Sequence, residues 1–304
     1  MPVSRPSAGA TGASPVNEAA SELDEAFERL AASGFELANG FVNHGPMACE
    51  ALAALGCSGE IDSWARRFAR SGTATVDAVA PTHFDWRDAM GDYRRLPEWI
   101  GSFEKEIALD GWASVVSTWV PRLLPALAVR LFHGAIRTAH ATRAVSQADT
   151  EPRRAELARA LGYWAARFQP GAPALTAAMV GDVRGELARA AADGARRYLT
   201  RPNIFHLHGV TGAMAVELFV DHIPPAAATA GLAQVHAEHE ALYGDVEAAK
   251  AAPVAGAGPD ELARAATKSH DPHQVKLIEA CRRGLGVTGD PVFAAAAETV
   301  TGLG

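Results

Sequence analysis

"SHDPHQVKLIEA", residues 269–280, reads as the opening of a helix. Asp271 is a residue type that caps helix N-termini, Pro272 suits a first turn, and Gln274 stands three residues after the cap in a capping-box arrangement. His273 then lies at the helix start and Lys276 one turn in, neighbours at i and i+3. "NHGPMACEALAALG", residues 43–56, is signed in the same way, with Pro46 in the first turn and Gly56 as a stop.

Outward from these two stretches, alanine-rich segments with apolar spacing of three and four recur between Pro, Gly and Asp turns. The pattern predicts helices over 21–33, 46–56, 62–72, 95–108, 111–121, 125–145, 152–168, 173–199, 205–221, 226–249, 259–269, 272–284 and 290–302. Alternating β-branched and aromatic runs are nearly absent, which argues against a sheet. Segment 74–93, "ATVDAVAPTHFDWRDAMGDY", is the least regular and is expected to wrap over helices as a loop. The expected fold is all-α: a single large multi-helix bundle over residues 21–304, preceded by a disordered N-terminal tail over residues 1–20.

The chain of 304 residues is 48% hydrophobic and 21% charged, enough for a substantial buried core. No apolar run is long enough to cross a bilayer, because Arg122, Arg130 and prolines interrupt the most apolar region, Trp119 to Ile136. The first residues lack the apolar stretch of a signal peptide, so a cytoplasmic protein with no membrane partner is expected. A net charge of −7 without a basic face argues against a nucleic-acid partner. Cys49, Cys57 and Cys281 lack metal-ligand spacing and read as reduced thiols.

Eleven histidines carry the chemical signal. Three precede a glycine in apolar surroundings: His44 in "NHGPM", His133 in "FHGAI" and His208 in "HLHGV". Glycine beside a ligand permits close approach of another group, and helical bundles build metal sites from side chains converging from different helices. Imidazole suits iron, copper, zinc and nickel. The competing reading of each is a hydrogen-bonded core histidine. His133 and His140 share a face with Arg137 between them, a ligand face or a polar seam. His236 and His239, flanked by Glu238 and Glu240, read as solvated. His-Glu-x-x-His, the paired Glu-x-x-His of di-iron bundles, and the Rossmann and P-loop glycine patterns are all missing. His270-Asp271 is a pair of the kind metal phosphohydrolases use, but Asp271 is explained better as a cap.

Taken in order, "FVNHGPMACEALAALG", "DWRDAMGDYRRLPEWIGSFEKEI", "LFHGAIRTAHA", "LGYWAARF", "HLHGVTGAMAVELF" and "DPHQVKLIEA" resemble the questin oxidase family over residues 36 to 284. The resemblance implies an oxidoreductase: a non-haem iron-dependent oxygenase that opens a ring of a polycyclic aromatic polyketide, such as an anthraquinone, in Baeyer–Villiger-like chemistry. It implies Fe(II) used with O2, held by His44, His133, His208, His273 and a carbamylated Lys276, with His206 the competitor to His208. A small aromatic substrate is the implied partner, with Trp86, Trp164 and Phe132 as candidate walls of its pocket. The reductant, NAD(P)H or the substrate itself, has no legible site. A buried lysine beside a metal loses its proton, and the neutral amine can capture CO2 to become a carboxylate on a long stem. The plain alternative for Lys276 is a surface lysine beside Glu279 and Arg283. The alternative for the whole chain is a non-catalytic helical protein that binds an apolar polyketide.

Overall fold

The computed structural model describes residues 15–302 apart from 38–39, 72–75, 81–82, 175–178, 245 and 249–255. Among these the chain forms fourteen α-helices, and its β-structure is one isolated bridge between Glu36 and Val42. In chain order they are α1 (Pro15–Ala31), α2 (Gly45–Ala54), α3 (Ile61–Ser71), α4 (Trp86–Ala89), α5 (Leu96–Asp110), α6 (Trp112–Leu123) and α7 (His133–Gln147). Then follow α8 (Glu151–Ala166), α9 (Val183–Thr200), α10 (Ile204–Phe219), α11 (Pro225–Tyr243), α12 (Pro259–Ser269), α13 (Pro272–Thr288) and α14 (Val292–Thr301). The all-α expectation holds, and no helix among the described residues is long and apolar enough to cross a membrane.

Most helix ends fall where their capping residues put them. Asp182, Asn203 and Asp271 each accept a backbone N–H in the first turn of α9, α10 and α13. Five expectations need correction. The first helix begins at Pro15, so it takes in the last six residues assigned to the tail; residues 1–14 lie outside the described residues. The helix expected over 125–145 is broken, because Arg130, Leu131 and Phe132 take left-handed φ of 50°, 56° and 64° and α7 starts afresh at His133. The helix expected from 173 begins at Val183, behind the cap at Asp182, and the one expected to reach 249 ends at Tyr243, before Gly244 with φ of 54°. The 74–93 loop contains the short α4 and a 3-10 turn at 93–95, each capped by an aspartate side chain, Asp85 and Asp92.

One hydrophobic cluster runs from Leu23 to Ala297. At its centre α2, α7, α10 and α13 close a ring, α2 packing on α7, α7 on α10, α10 on α13 and α13 on α2. The other helices jacket this ring: α1 and α3 lie on α2, α8 on α7, α9 and α11 on α10, and α14 on α13.

Candidate metal centre

Each helix of the ring delivers one histidine near its N-terminus. His44 is the residue before α2, His133 opens α7, His208 is in the second turn of α10, and His273 is the second residue of α13. One nitrogen from each lies within 4.8 Å of the other three, and no Cys, Asp or Glu joins the group among the described residues. His44, His133 and His208 are buried, while the His273 side chain keeps 24% of its surface open to solvent.

Hydrogen bonds outside the cluster fix which nitrogen points in. His133 Nδ1 lies 2.5 Å from the Arg130 carbonyl, and His208 Nδ1 lies 2.7 Å from the Ile204 carbonyl. A carbonyl only accepts, so both Nδ1 atoms carry protons and both Nε2 atoms present bare lone pairs. Those two lone pairs face each other at 3.2 Å, and His133 Nε2 is also 2.7 Å from His44 Nε2. His273 Nδ1 donates to Asp271 Oδ1 at 2.9 Å, so its Nε2 is left bare as well. Converging lone pairs repel unless a cation sits among them. Two imidazole nitrogens bound about 2.0–2.1 Å from one ion stand roughly 3.0–3.4 Å apart, close to the His133–His208 spacing. The donor set therefore fits a metal ion.

The electrostatics agree. Burial pushes the imidazolium forms of His44, His133 and His208 well below the ordinary histidine range, and Lys276 adds to the shift in each. Neutral imidazole is the form that ligates. Lys276 is only 1% exposed, which overturns the surface-lysine reading. Its Nζ is buried without a hydrogen-bond partner, and burial pushes the ammonium down to about 7.

The His-Gly pairs acquire a steric reason. A Cβ at Gly134 would stand 2.7 Å from the Trp164 ring, and one at Gly209 would overlap the Tyr243 hydroxyl. At Gly45 the intruders are Leu30 and Phe68. In each case a side chain from a jacketing helix presses on the backbone directly after a cluster histidine, setting how far that ring reaches inward.

Below the histidines, the same four helices carry a layer of buried ion pairs. Glu50 of α2 pairs with Arg143 and His140 of α7; Arg143 reaches Glu279 of α13; Arg283 of α13 bridges Glu279 to Glu217 of α10. Arg184 of α9 continues the chain from Glu217 to Asp221. On every ring helix this layer follows the histidine by six to ten residues, roughly 9–15 Å of helix. The four helices therefore run the same way, with all four N-terminal ends at the cluster.

The remaining candidates fall elsewhere. His206 turns away, its Nδ1 donating to the Arg201 carbonyl at 2.9 Å. His140 belongs to the ion-pair layer and Arg137 pairs with the buried Glu156, so their stripe is a polar seam. The solvated reading of His236 and His239 is half right. His236 is exposed, but His239 is buried and its Nε2 donates to the Gly209 carbonyl at 2.9 Å. Trp164 and Phe132 are closed core residues, and Trp86 packs on Trp119. Asp271 accepts from the His273 backbone and ring, as a cap and an orienting carboxylate together. Sequence reading missed the carbonyls of Arg130 and Ile204 and the glutamates of the lower layer; none has a local motif. No protein-family model and no curated protein matches the chain.

Proposed function

We propose that the protein is a non-haem iron-dependent oxygenase resembling the questin oxidases, which opens a ring of a flat polycyclic aromatic substrate of the anthraquinone type. The observation that supports this reading is the convergence of His44, His133, His208 and His273, with the buried, unpartnered Lys276 amine near enough for its charge to act on all four rings. Four neutral imidazoles hold a transition metal, and a ferrous ion bound there supplies the dioxygen chemistry that protein side chains lack.

The chain's own residues have definable tasks. His44, His133, His208 and His273 bind through Nε2, three of them oriented by acceptors on Nδ1. Lys276 reaches neutrality near neutral pH, so its Nζ lone pair can add to the carbon of CO2. One N–C bond forms, one proton leaves, and the product is a carbamate that presents an anionic oxygen beside the imidazoles. The jacketing helices keep water from His44, His133 and His208, while the partly open His273 marks the side from which substrate arrives. Electrons come from a reduced substrate or a free donor such as NAD(P)H.

The His-Asp phosphohydrolase reading needs Asp271 on the metal, whereas its Oδ1 is taken up by His273. The test of the oxygenase is direct. Protein loaded with Fe(II) in the absence of oxygen is mixed with the hydroquinone of a hydroxylated anthraquinone and isotopically labelled dioxygen. A ring-opened product carrying the label is expected; label-free substrate with intact rings contradicts the proposal.

A further inference from the structure

Among the described residues, four that are not glycine adopt left-handed φ: Arg130, Leu131, Phe132 and His270. A side chain at such a φ crowds its own backbone and costs free energy, so the conformation persists only where neighbours hold it. All four lie in the turns that lead into two ring helices, residues 130–132 into α7 and His270 into α13. Those helices carry their cluster histidines at the first and second positions. A histidine deeper in a helix can use the carbonyl four residues back, as His208 uses that of Ile204. His133 and His273 have no helical turn behind them. Their Nδ1 acceptors, the Arg130 carbonyl and the Asp271 carboxylate, come instead from these turns.

The turn before α7 is anchored on two sides. The buried Phe132 ring presses on the α10 backbone at Gly212, where a Cβ would stand 2.5 Å from it. The Arg130 guanidinium donates to the Gly40 carbonyl and lies 3.5 Å from the Glu36 carboxylate, which Arg167 and the Tyr163 hydroxyl also engage. Gly40 and Glu36 belong to the stretch that leads into His44, and Glu36 bridges to Val42 within it. His133 is also the middle ring of the cluster, its Nε2 lying 2.7 Å from that of His44 and 3.2 Å from that of His208. Without a cation, swinging His133 outward relieves both repulsions. That movement surrenders the Arg130 carbonyl bond and leaves the left-handed turn with less to hold it.

Resting on the metal-centre reading above, we propose that Arg130 is a positioning residue of the centre: its carbonyl aims the His133 ring, and its guanidinium ties the left-handed turn to the approach of His44, so that the turn and the bound metal stabilise each other. The coupling is reciprocal. Losing the metal loosens residues 130–136, and losing the guanidinium anchor releases the metal.

The test measures Co(II) affinity by chelator competition in wild type, Arg130→Ala, Arg130→Lys and Arg154→Ala. Arg154 makes an exposed ion pair with Asp149 at the start of α8 and serves as the control. Arg130→Ala keeps the carbonyl and loses the anchor, and is expected to bind cobalt about tenfold or more weakly, as lost support behind a ligand does. Arg130→Lys restores one donor to Gly40 and should recover part of that loss, while Arg154→Ala binds as wild type. Thermal unfolding of the metal-free proteins should be alike in all four, as exposed ion pairs contribute little. In wild type, cobalt is expected to slow amide hydrogen exchange at residues 130–136 and leave α5 unchanged. Arg130→Ala that holds cobalt as tightly as wild type overturns the proposal, and so does exchange at 130–136 that is indifferent to cobalt. A stability loss in metal-free Arg130→Ala with unchanged affinity makes Arg130 a fold residue and overturns it too. Wild type that holds no cobalt overturns the metal-centre reading and this proposal with it.

Discussion

The Nε2 atoms of His133 and His208 face each other at 3.2 Å, and each ring has committed its Nδ1 proton to a backbone carbonyl. Neither nitrogen can donate to the other, so the pair is repulsive in the metal-free chain and complementary to a cation. The consequences of this arrangement can be measured.

Lys276 makes the stability of the metal-free protein depend on pH. Its ammonium is pushed from an ordinary 10.5 to about 7, so between those values the unfolded chain binds the extra proton and the folded chain does not. Stability therefore rises with pH across that window, and the penalty is fully present below pH 7. Lys276→Met removes the buried amine and keeps the volume. In chemical denaturation its stability should exceed that of wild type at pH 7, with the gap narrowing toward pH 9. A gap that is constant with pH contradicts the assignment.

Asp271 has two duties, and two substitutions separate them. Asp271→Ala loses the helix cap, at about 0.5–2 kcal/mol, and frees the His273 ring. Metal affinity, measured by competition with a chelator, should fall about 10–100-fold. Asp271→Asn keeps a capping oxygen and should recover the stability more than the affinity. A phosphatase activity abolished by Asp271→Ala would favour the phosphohydrolase.

The close approach at Gly209 predicts a paired effect. Gly209→Ala drives a methyl group into the Tyr243 hydroxyl, displacing the helix beside His208, and should cost about 1–3 kcal/mol along with metal affinity. Tyr243→Phe removes an oxygen that has no hydrogen-bond partner, so alone it should be neutral or stabilising. Combined, the two should recover part of the loss. Additive behaviour in thermal unfolding would show that the contact is not the cause.

The ion-pair layer holds the register of the ring. Arg143 and Arg283 keep the Glu279 carboxyl well below its ordinary range despite burial. A depressed carboxylate stabilises the fold above its unfolded pKa, and the contribution is lost as pH falls below it. Glu279→Gln leaves two guanidinium groups short of a partner and should cost about 3–5 kcal/mol at pH 7. The difference from wild type should shrink below pH 4.5, where the unfolded carboxyl takes up its proton.

Much of this was legible in the residues. Caps, prolines and apolar spacing located most helices because those signals act within one turn. The His-Gly pairs marked three of the four clustered histidines. His206 and His208 could not be separated by composition: two residues apart on a helix they point to nearly opposite sides, and only packing decides which faces inward. The break at Arg130–Phe132 was invisible because left-handed φ at Arg, Leu and Phe has no sequence signature and is held by tertiary contacts. The Phe132 ring lies under Gly212, and the Arg130 guanidinium binds the Gly40 carbonyl. His239 read as solvated because its neighbours are glutamates, yet Glu238 is itself buried, accepting from the Gln234 side chain and the Ala172 backbone N–H. The ion-pair layer joins residues as far apart in sequence as Arg143 and Glu279, beyond the reach of any local pattern.

Whether the four histidines hold a metal is read from metal content. Protein purified without added metal and then reconstituted with Fe(II) without oxygen is analysed for bound metal, as wild type, His133→Ala, His208→Ala and Lys276→Ala. About one iron per chain is expected in wild type, with loss in both histidine variants and weakened retention in Lys276→Ala. Wild type that takes up no metal, or histidine variants that keep it, would rule out a four-histidine metal site.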